Sequence, residues 1–107
     1  MIVRAWRGRA AATNAKAYVE HFRNNVLPEL RRIDGFRGAS LLRKDHGMEV
    51  EYVVLSRWAS MEAIRASAGN EVEKAVVEPQ AVAALIDFDR DVEHYLVVEE
   101  RIVQGLA

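Results

Sequence analysis

Phe36-Arg37-Gly38-Ala39-Ser40-Leu41-Leu42-Arg43-Lys44-Asp45-His46-Gly47-Met48-Glu49-Val50-Glu51-Tyr52-Val53-Val54-Leu55-Ser56-Arg57-Trp58 is the stretch from which the fold follows. Its second half holds the unbroken apolar run Val53-Val54-Leu55, which suits a central strand better than an edge. Asp45-His46-Gly47 has the composition of a compact hairpin turn. The stretch therefore reads as two antiparallel strands, residues 36–44 and 48–58.

Working outward, residues 2–9 are short and apolar and read as a first strand. Thr13 or Asn14 then offers a helix N-cap. Ala15, Tyr18, Val19, Phe22, Val26, Leu30 and Ile33 follow at helical spacing. Pro28 lacks a backbone donor, so this helix should kink or restart there before Asp34-Gly35 ends it. After the hairpin, Ser60 caps a helix that runs to Ala68 and stops at Gly69. Residues 70–86 read as one or two short helices, the later one starting at Pro79. Residues 92–98 read as a fourth strand, followed by a short tail. The order β-α-β-β-α-β is a split β-α-β arrangement, the ferredoxin-like sandwich of the α+β class. Right-handed crossovers place strands one and three in the middle of an antiparallel sheet with both helices on one face. Phe36, Leu41, Leu42, Val53, Leu55, Val97 and Val98 put apolar side chains on both parities, so the helix-free face calls for a partner.

The 107 residues give room for a single domain, 1–107, with no internal repeat or linker. A chain of that length buries about two thirds of its unfolded surface and needs no disulfide or metal staple. Fifteen Lys and Arg against sixteen Asp and Glu leave a net charge of −1, without the basic excess of a nucleic-acid binder. Cysteine is absent, which excludes thiolate catalysis and cysteine-ligated metals. No signal peptide or bilayer-spanning run is evident, so a cytoplasmic protein with no membrane partner is expected.

The acidic run Asp87-Phe88-Asp89-Arg90-Asp91 alternates like the start of a calcium loop. Its sixth and twelfth positions are Val92 and Val98, where such a loop needs Gly and Glu. A solvated turn is the better reading, and no metal site is expected. His21, His46 and His94 share no ligand spacing. His46 falls in the hairpin turn, and His21 sits near the edge of the helical apolar stripe. His94 lies in a strand expected to be largely buried, where a satisfied core histidine outweighs a catalytic one by about two to one. Trp6 and Trp58 are first of all core anchors. Arg4 and Arg7, in a central strand, need carboxylate or ligand oxygens, and Glu51 and Glu93 are available. Neither a G-x-S-x-G elbow nor a glycine-rich phosphate loop is present.

Trp6-Arg7-Gly8, the run Leu55-Ser56-Arg57-Trp58-Ala59-Ser60-Met61-Glu62-Ala63-Ile64-Arg65, Ala68-Gly69 and Val92-Glu93-His94-Tyr95 together resemble the antibiotic biosynthesis monooxygenase (ABM) domain family. The resemblance spans about residues 2–98. Its most specific piece is a strand ending in Trp-x-Ser that opens directly into a helix, with His-Tyr in the last strand. It implies a dimeric α+β barrel whose helix-free faces pack together, and hence a homodimer. It also implies oxidation of a phenolic or quinol-type small molecule by molecular oxygen, with no metal or organic cofactor. Such chemistry asks for an apolar pocket and a base near neutrality. His94 is the candidate catalytic base, and Trp6, Arg7, Trp58 and Tyr95 are candidate substrate-binding residues. Strand alternation sends His94 and Tyr95 to opposite faces, so at most one of them meets a helix-side pocket. The haem-degrading relatives use an Asn in strand one, with a Trp and a His after the hairpin. Residues 2–9 contain no Asn, and no Trp or His occurs between Ala59 and Glu93. The alternative is a non-catalytic small-molecule binding domain on the same barrel, since function belongs to the site and not the scaffold.

Overall fold

The computed structural model describes residues 1–103; the end of the expected tail lies outside the described residues. The long strands are β1 (Ile2–Ala11), β2 (Phe36–His46) and β3 (Glu49–Trp58). Two short ones, β4 (Asp87–Phe88) and β5 (Glu93–Leu96), both pair with β1. The sheet is antiparallel in the order β2-β3-β1-β4, so β3 and β1 are central as the apolar run Val53-Val54-Leu55 requires. The helices α1 (Ala15–His21), α2 (Leu27–Leu30), α3 (Met61–Ala68) and α4 (Pro79–Ala84) pack on one face. This is the α+β ferredoxin-like sandwich.

Register decides which side chains meet the helices. Ile2↔Trp58, Arg4↔Ser56, Trp6↔Val54, Gly8↔Tyr52 and Ala10↔Val50 are opposed pairs on the helix side. Val50, Tyr52, Trp58 and Ile64 form the fully buried centre of the core. Tyr52 donates its hydroxyl to the Ala15 carbonyl at 2.8 Å, tying β3 to the start of α1. The opposite parity presents Val3, Ala5, Val53, Leu55 and Leu42 on the helix-free face, flanked by Arg7, Arg9, Glu51 and Lys44.

The hairpin turn is tighter than the sequence suggests. Its loop is only Gly47-Met48, with φ +64° at Gly47 and His46 paired to Glu49. Glycine in the first loop position with positive φ marks a type II′ turn, which matches strand twist. The helical path restarts at Pro28 as expected, with the proline in the first turn of α2. Ahead of it residues Phe22–Val26 widen into a π turn, and the Leu27 N–H reaches back to the Phe22 carbonyl. One extra residue in the turn absorbs the missing donor and the ring of Pro28, and the helical path continues. Helix α1 begins after a 3₁₀ turn, and Asn14 makes no side-chain cap. Ser60, by contrast, accepts from the Ala63 N–H at 3.2 Å and caps α3, which ends at Gly69.

The fourth strand expected over 92–98 is confined to β5, and the two-residue β4 precedes it, inside the acidic run read from sequence as a solvated turn. After Asp89, whose N–H still donates to the Arg7 carbonyl, residues 90–92 leave β1 and bond the 73–75 segment: Ala75 N–H donates to Arg90 O and Val92 N–H to Glu73 O. The acidic run is occupied by ion pairs, Arg9 with Asp87 and with Asp89, and Lys74 with Asp91. Among the described residues no cluster of His, Asp and Glu is arranged to hold a metal ion. No described helix is long and apolar enough to cross a membrane.

Three substitutions test this backbone. At Gly35, φ is +94° and an added Cβ would sit 2.6 Å from the Ala63 Cβ, whereas at Gly47 it would meet open space. Gly35→Ala should therefore cost more than Gly47→Ala, which carries only the positive-φ penalty of about 1–2 kcal/mol. Ser60→Ala should cost about 1 kcal/mol. Urea unfolding midpoints check all three, and equal effects at the two glycines would contradict the close approach of Gly35 to α3.

Candidate functional site

A cavity of about 530 Å³ lies between the helix side of the sheet and the helices, with residues 75–78 in its lining. Such a volume suits a small organic ligand. β1 contributes Arg4 and Trp6, and β3 contributes Ser56 and Trp58. α1 contributes Tyr18 and His21.

The aromatic walls are held from behind. The Trp6 indole N–H donates to the Asp89 carbonyl at 2.8 Å, and its ring lies 5.9 Å from that of Tyr18. The Trp58 indole donates to Ser56 Oγ at 2.8 Å, and Phe36 meets its ring edge-on at 5.3 Å. The Trp-x-Ser sequence thus serves the strand-to-helix junction through the Ser60 cap, and Trp58 also faces the cavity.

Arg4 is the cation of the wall. Its guanidinium donates to the Val72 carbonyl at 2.6 Å, the Lys74 carbonyl at 2.9 Å and His94 Nε2 at 2.9 Å. No carboxylate is among these partners; burial lowers its pKa, and Glu73 acts in the opposite direction. A guanidinium only donates, so His94 Nε2 must be the acceptor and its proton sits on Nδ1. Burial and then Arg4 lower the His94 pKa against the pull of Glu73, which keeps the imidazole neutral.

Of the residues expected from sequence, the structure brings Trp6 and Trp58 to the cavity. His94 is on the same sheet face but behind Arg4, and the described residues lining the cavity do not include it. Its strand is only partly covered: His94 is half-buried and the neighbouring Tyr95 is 51% exposed. Arg7 and Tyr95 lie on the opposite, helix-free face. There Arg7 meets Glu93 at 3.5 Å and Glu51 at 4.0 Å, and the Tyr95 hydroxyl donates to Glu93 at 2.9 Å. Arg7 therefore has the carboxylate partners anticipated, while Arg4 uses carbonyls and a histidine.

Sequence reasoning passed over His21 and Tyr18. His21 is 6% exposed, with Nδ1 3.1 Å from Asn25 Nδ2 and Nε2 3.6 Å from a Glu78 carboxylate oxygen. The i, i+4 pairing of His21 with Asn25 was the available signal; Glu78 is remote in sequence. Burial, then Glu78, push the Tyr18 phenol well above its usual pKa, so it acts in the cavity as a hydrogen-bond donor.

Comparison with known proteins places this geometry. A structure from Bacillus cereus assigned to the antibiotic biosynthesis monooxygenases aligns over 98% of both chains, with TM-score 0.67 and 22% identity. The heme-degrader MhuD from Mycobacterium tuberculosis, with two hemes bound in its active site, aligns over 94% of this chain and 99% of its own, with TM-score 0.61 and 21% identity. The monooxygenase from the ActVA-Orf6 gene of Streptomyces coelicolor, in complex with Nanaomycin D, aligns over 97% and 92%, with TM-score 0.58 and 16% identity. A search of curated proteins gives no significant match. At these identities the structures speak for the fold. The antibiotic biosynthesis monooxygenase family model matches residues 1–79, ending before the His94-Tyr95 stretch. With its family model matched over most of its length and the same fold in its structural relatives, the chain belongs to the antibiotic biosynthesis monooxygenase family.

Proposed function

We propose that the chain is a cofactor-independent monooxygenase acting on a phenol- or quinol-type small molecule in the helix-side cavity. The observation that carries this reading is the cavity itself: aromatic walls with a fixed guanidinium on one side. Trp6, half-buried, offers a face for a planar ring, and Trp58, itself fully buried, backs the wall. Arg4, pinned by three acceptors, offers a positive charge where a phenolate oxygen would develop. A pre-oriented charge of that kind needs no reorganisation as the substrate ionises. For a phenol, one atom of O₂ becomes a carbonyl oxygen on the ring carbon para to the hydroxyl. The second atom leaves as water with that carbon's hydrogen and the hydroxyl proton. His94 then works through Arg4, as the acceptor that fixes the guanidinium, because its Nε2 lone pair is already engaged.

Haem fits this cavity poorly. The cavity does hold an imidazole, but the Glu78 carboxylate faces its Nε2 at 3.6 Å. A proton fits between those atoms; an iron ion with its macrocycle does not. The strand-one Asn and the later Trp and His that the resemblance associates with haem degradation are missing from the sequence.

The same reading includes a homodimer through the helix-free face, where Leu42 is 46% exposed beside Val53, Leu55, Ala5 and Val3. A stable interface of this apolar kind buries about 2,000 Å² or more. A binding domain without catalysis is the competing reading, and turnover separates the two.

Five outcomes are expected. Under air, with chelator present, the protein should consume oxygen with a phenol or quinol; binding without oxygen uptake would establish the non-catalytic alternative. Arg4→Ala should lower the rate about 10²–10³-fold. His94→Gln, which keeps an acceptor, should retain far more activity than His94→Ala, and equal losses would refute the positioning role. Haem titration should give no stoichiometric histidine-type Soret band. Val53→Asp should yield folded monomers in sedimentation while Val54→Asp, on the core side, unfolds the chain; a wild-type monomer at micromolar concentration would contradict the dimer.

A further inference from the structure

Tyr18 is 3% exposed and lines the cavity, yet its hydroxyl is bonded to no other described residue. The other two tyrosines are both engaged, Tyr52 with the Ala15 carbonyl and Tyr95 with Glu93. Among the described residues, no fully enclosed side-chain oxygen or nitrogen lacks a partner. The Tyr18 oxygen has none, so it is not enclosed. It opens onto the space that its side chain lines, which is the cavity.

The aromatic packing fixes where in the cavity this donor stands. The Tyr18 ring lies 5.9 Å from that of Trp6 and 5.5 Å from that of Tyr52. Tyr52 opposes Gly8, two residues beyond Trp6 on β1, whereas Arg4 lies two residues before it. Residues two apart on a strand share a face, so Arg4 and Tyr18 flank Trp6 on opposite sides. Gly8 permits this, because a Cβ there would come 3.0 Å from the Trp6 ring that leans over it.

The two sides differ in charge. Arg4 is the cation on one; on the other, Glu78 is the charged group that acts on Tyr18. The Glu78 carboxylate lies 3.6 Å from His21 Nε2. Asn25 Nδ2 stands 3.1 Å from His21 Nδ1 and donates to it, so the ring proton is on Nε2 and faces Glu78. This side therefore presents a ligand with an unclaimed hydroxyl donor beside a negative charge.

We propose that Tyr18 is the specificity-determining residue of the cavity, donating its hydroxyl to an uncharged carbonyl oxygen of the ligand across the Trp6 ring from Arg4. This rests on the reading of the cavity as a phenol site. Arg4 receives the oxygen that ionises, and Tyr18 receives one that only accepts. A ring that displaces water from the Tyr18 hydroxyl must bring an acceptor of its own or strand a buried donor. Sites built this way reject analogues that lack the matching polar group. A carboxylate in that place would accept as well as a carbonyl, but it meets the Glu78 charge.

The test compares 4-hydroxyacetophenone with 4-isopropylphenol, which has a similar shape and no carbonyl, by titration against the indole N–H signals. Tyr18→Phe keeps the ring, and the lost hydroxyl leaves no partner stranded in the protein, so the fold is retained. The preference for the ketone over the alkyl phenol should fall about tenfold in Tyr18→Phe, through weaker binding of the ketone. An unchanged preference, with both ligands still binding, would overturn the assignment of Tyr18 and leave the cavity intact as a phenol site. Wild type that binds neither ligand would overturn the phenol-site reading, and the role of Tyr18 with it. 4-Hydroxybenzoate should bind wild type more weakly than the ketone and gain affinity in Glu78→Gln. Tighter binding of 4-hydroxybenzoate than of the ketone to wild type would overturn the requirement for an uncharged oxygen.

Discussion

The pairing of β1 with β3 is the constraint on which the rest of this molecule depends. Ten consecutive pairs run without a bulge from Ile2↔Trp58 to Ala11↔Glu49. Side chains alternate along strands, so a slip of one residue would exchange the two faces completely. The observed register puts Arg4, Trp6, Ser56 and Trp58 under the helices and sends Arg7, Val53 and Leu55 to the other side. One hydrogen-bonded ladder thus fixes both the cavity and the apolar face opposite it.

The helices do not close down onto that face. Pro28 forces a π turn into the first helical path, and the turn brings His21 and Asn25 together at the cavity's outer wall. At the other end, Asp89 receives the Trp6 indole, and residues 90–92 depart from the sheet to bond the 73–75 segment. That same segment supplies the Lys74 carbonyl, and its neighbour Val72 a second, to the Arg4 guanidinium. The irregular parts of the backbone therefore hold the polar groups of the site, and the regular parts hold its aromatic walls.

Much of the scaffold was legible in the sequence because its signals are local. The apolar run Val53-Val54-Leu55 marked a central strand, Ser60 marked a helix start, and Gly69 marked its end. The two-residue β4 ahead of the fourth strand was not legible, since the stretch between the two is held by bonds to Trp6 and to residues 73–75. Trp6 and Trp58 line the cavity. His94 and Tyr95 were chosen from the resemblance. The structure sets His94 behind Arg4 and puts Tyr95 and Arg7 on the other face. His21 looked like the edge of an apolar stripe because its partner Glu78 comes from a distant segment. Parity along a strand can be read from sequence; which side chain stands between a histidine and a cavity cannot.

The central claim is that the helix-side cavity, and not the helix-free face, receives a phenol-type molecule. The chain has two tryptophans, and both indoles line that cavity, so their N–H signals report on it directly. Titrating a phenol into the ¹⁵N-labelled protein should move both indole signals and the Arg4 side-chain resonances while leaving Arg7 unchanged. Saturable shifts confined to Arg7, Tyr95 and their neighbours, with both indoles still, would contradict the account.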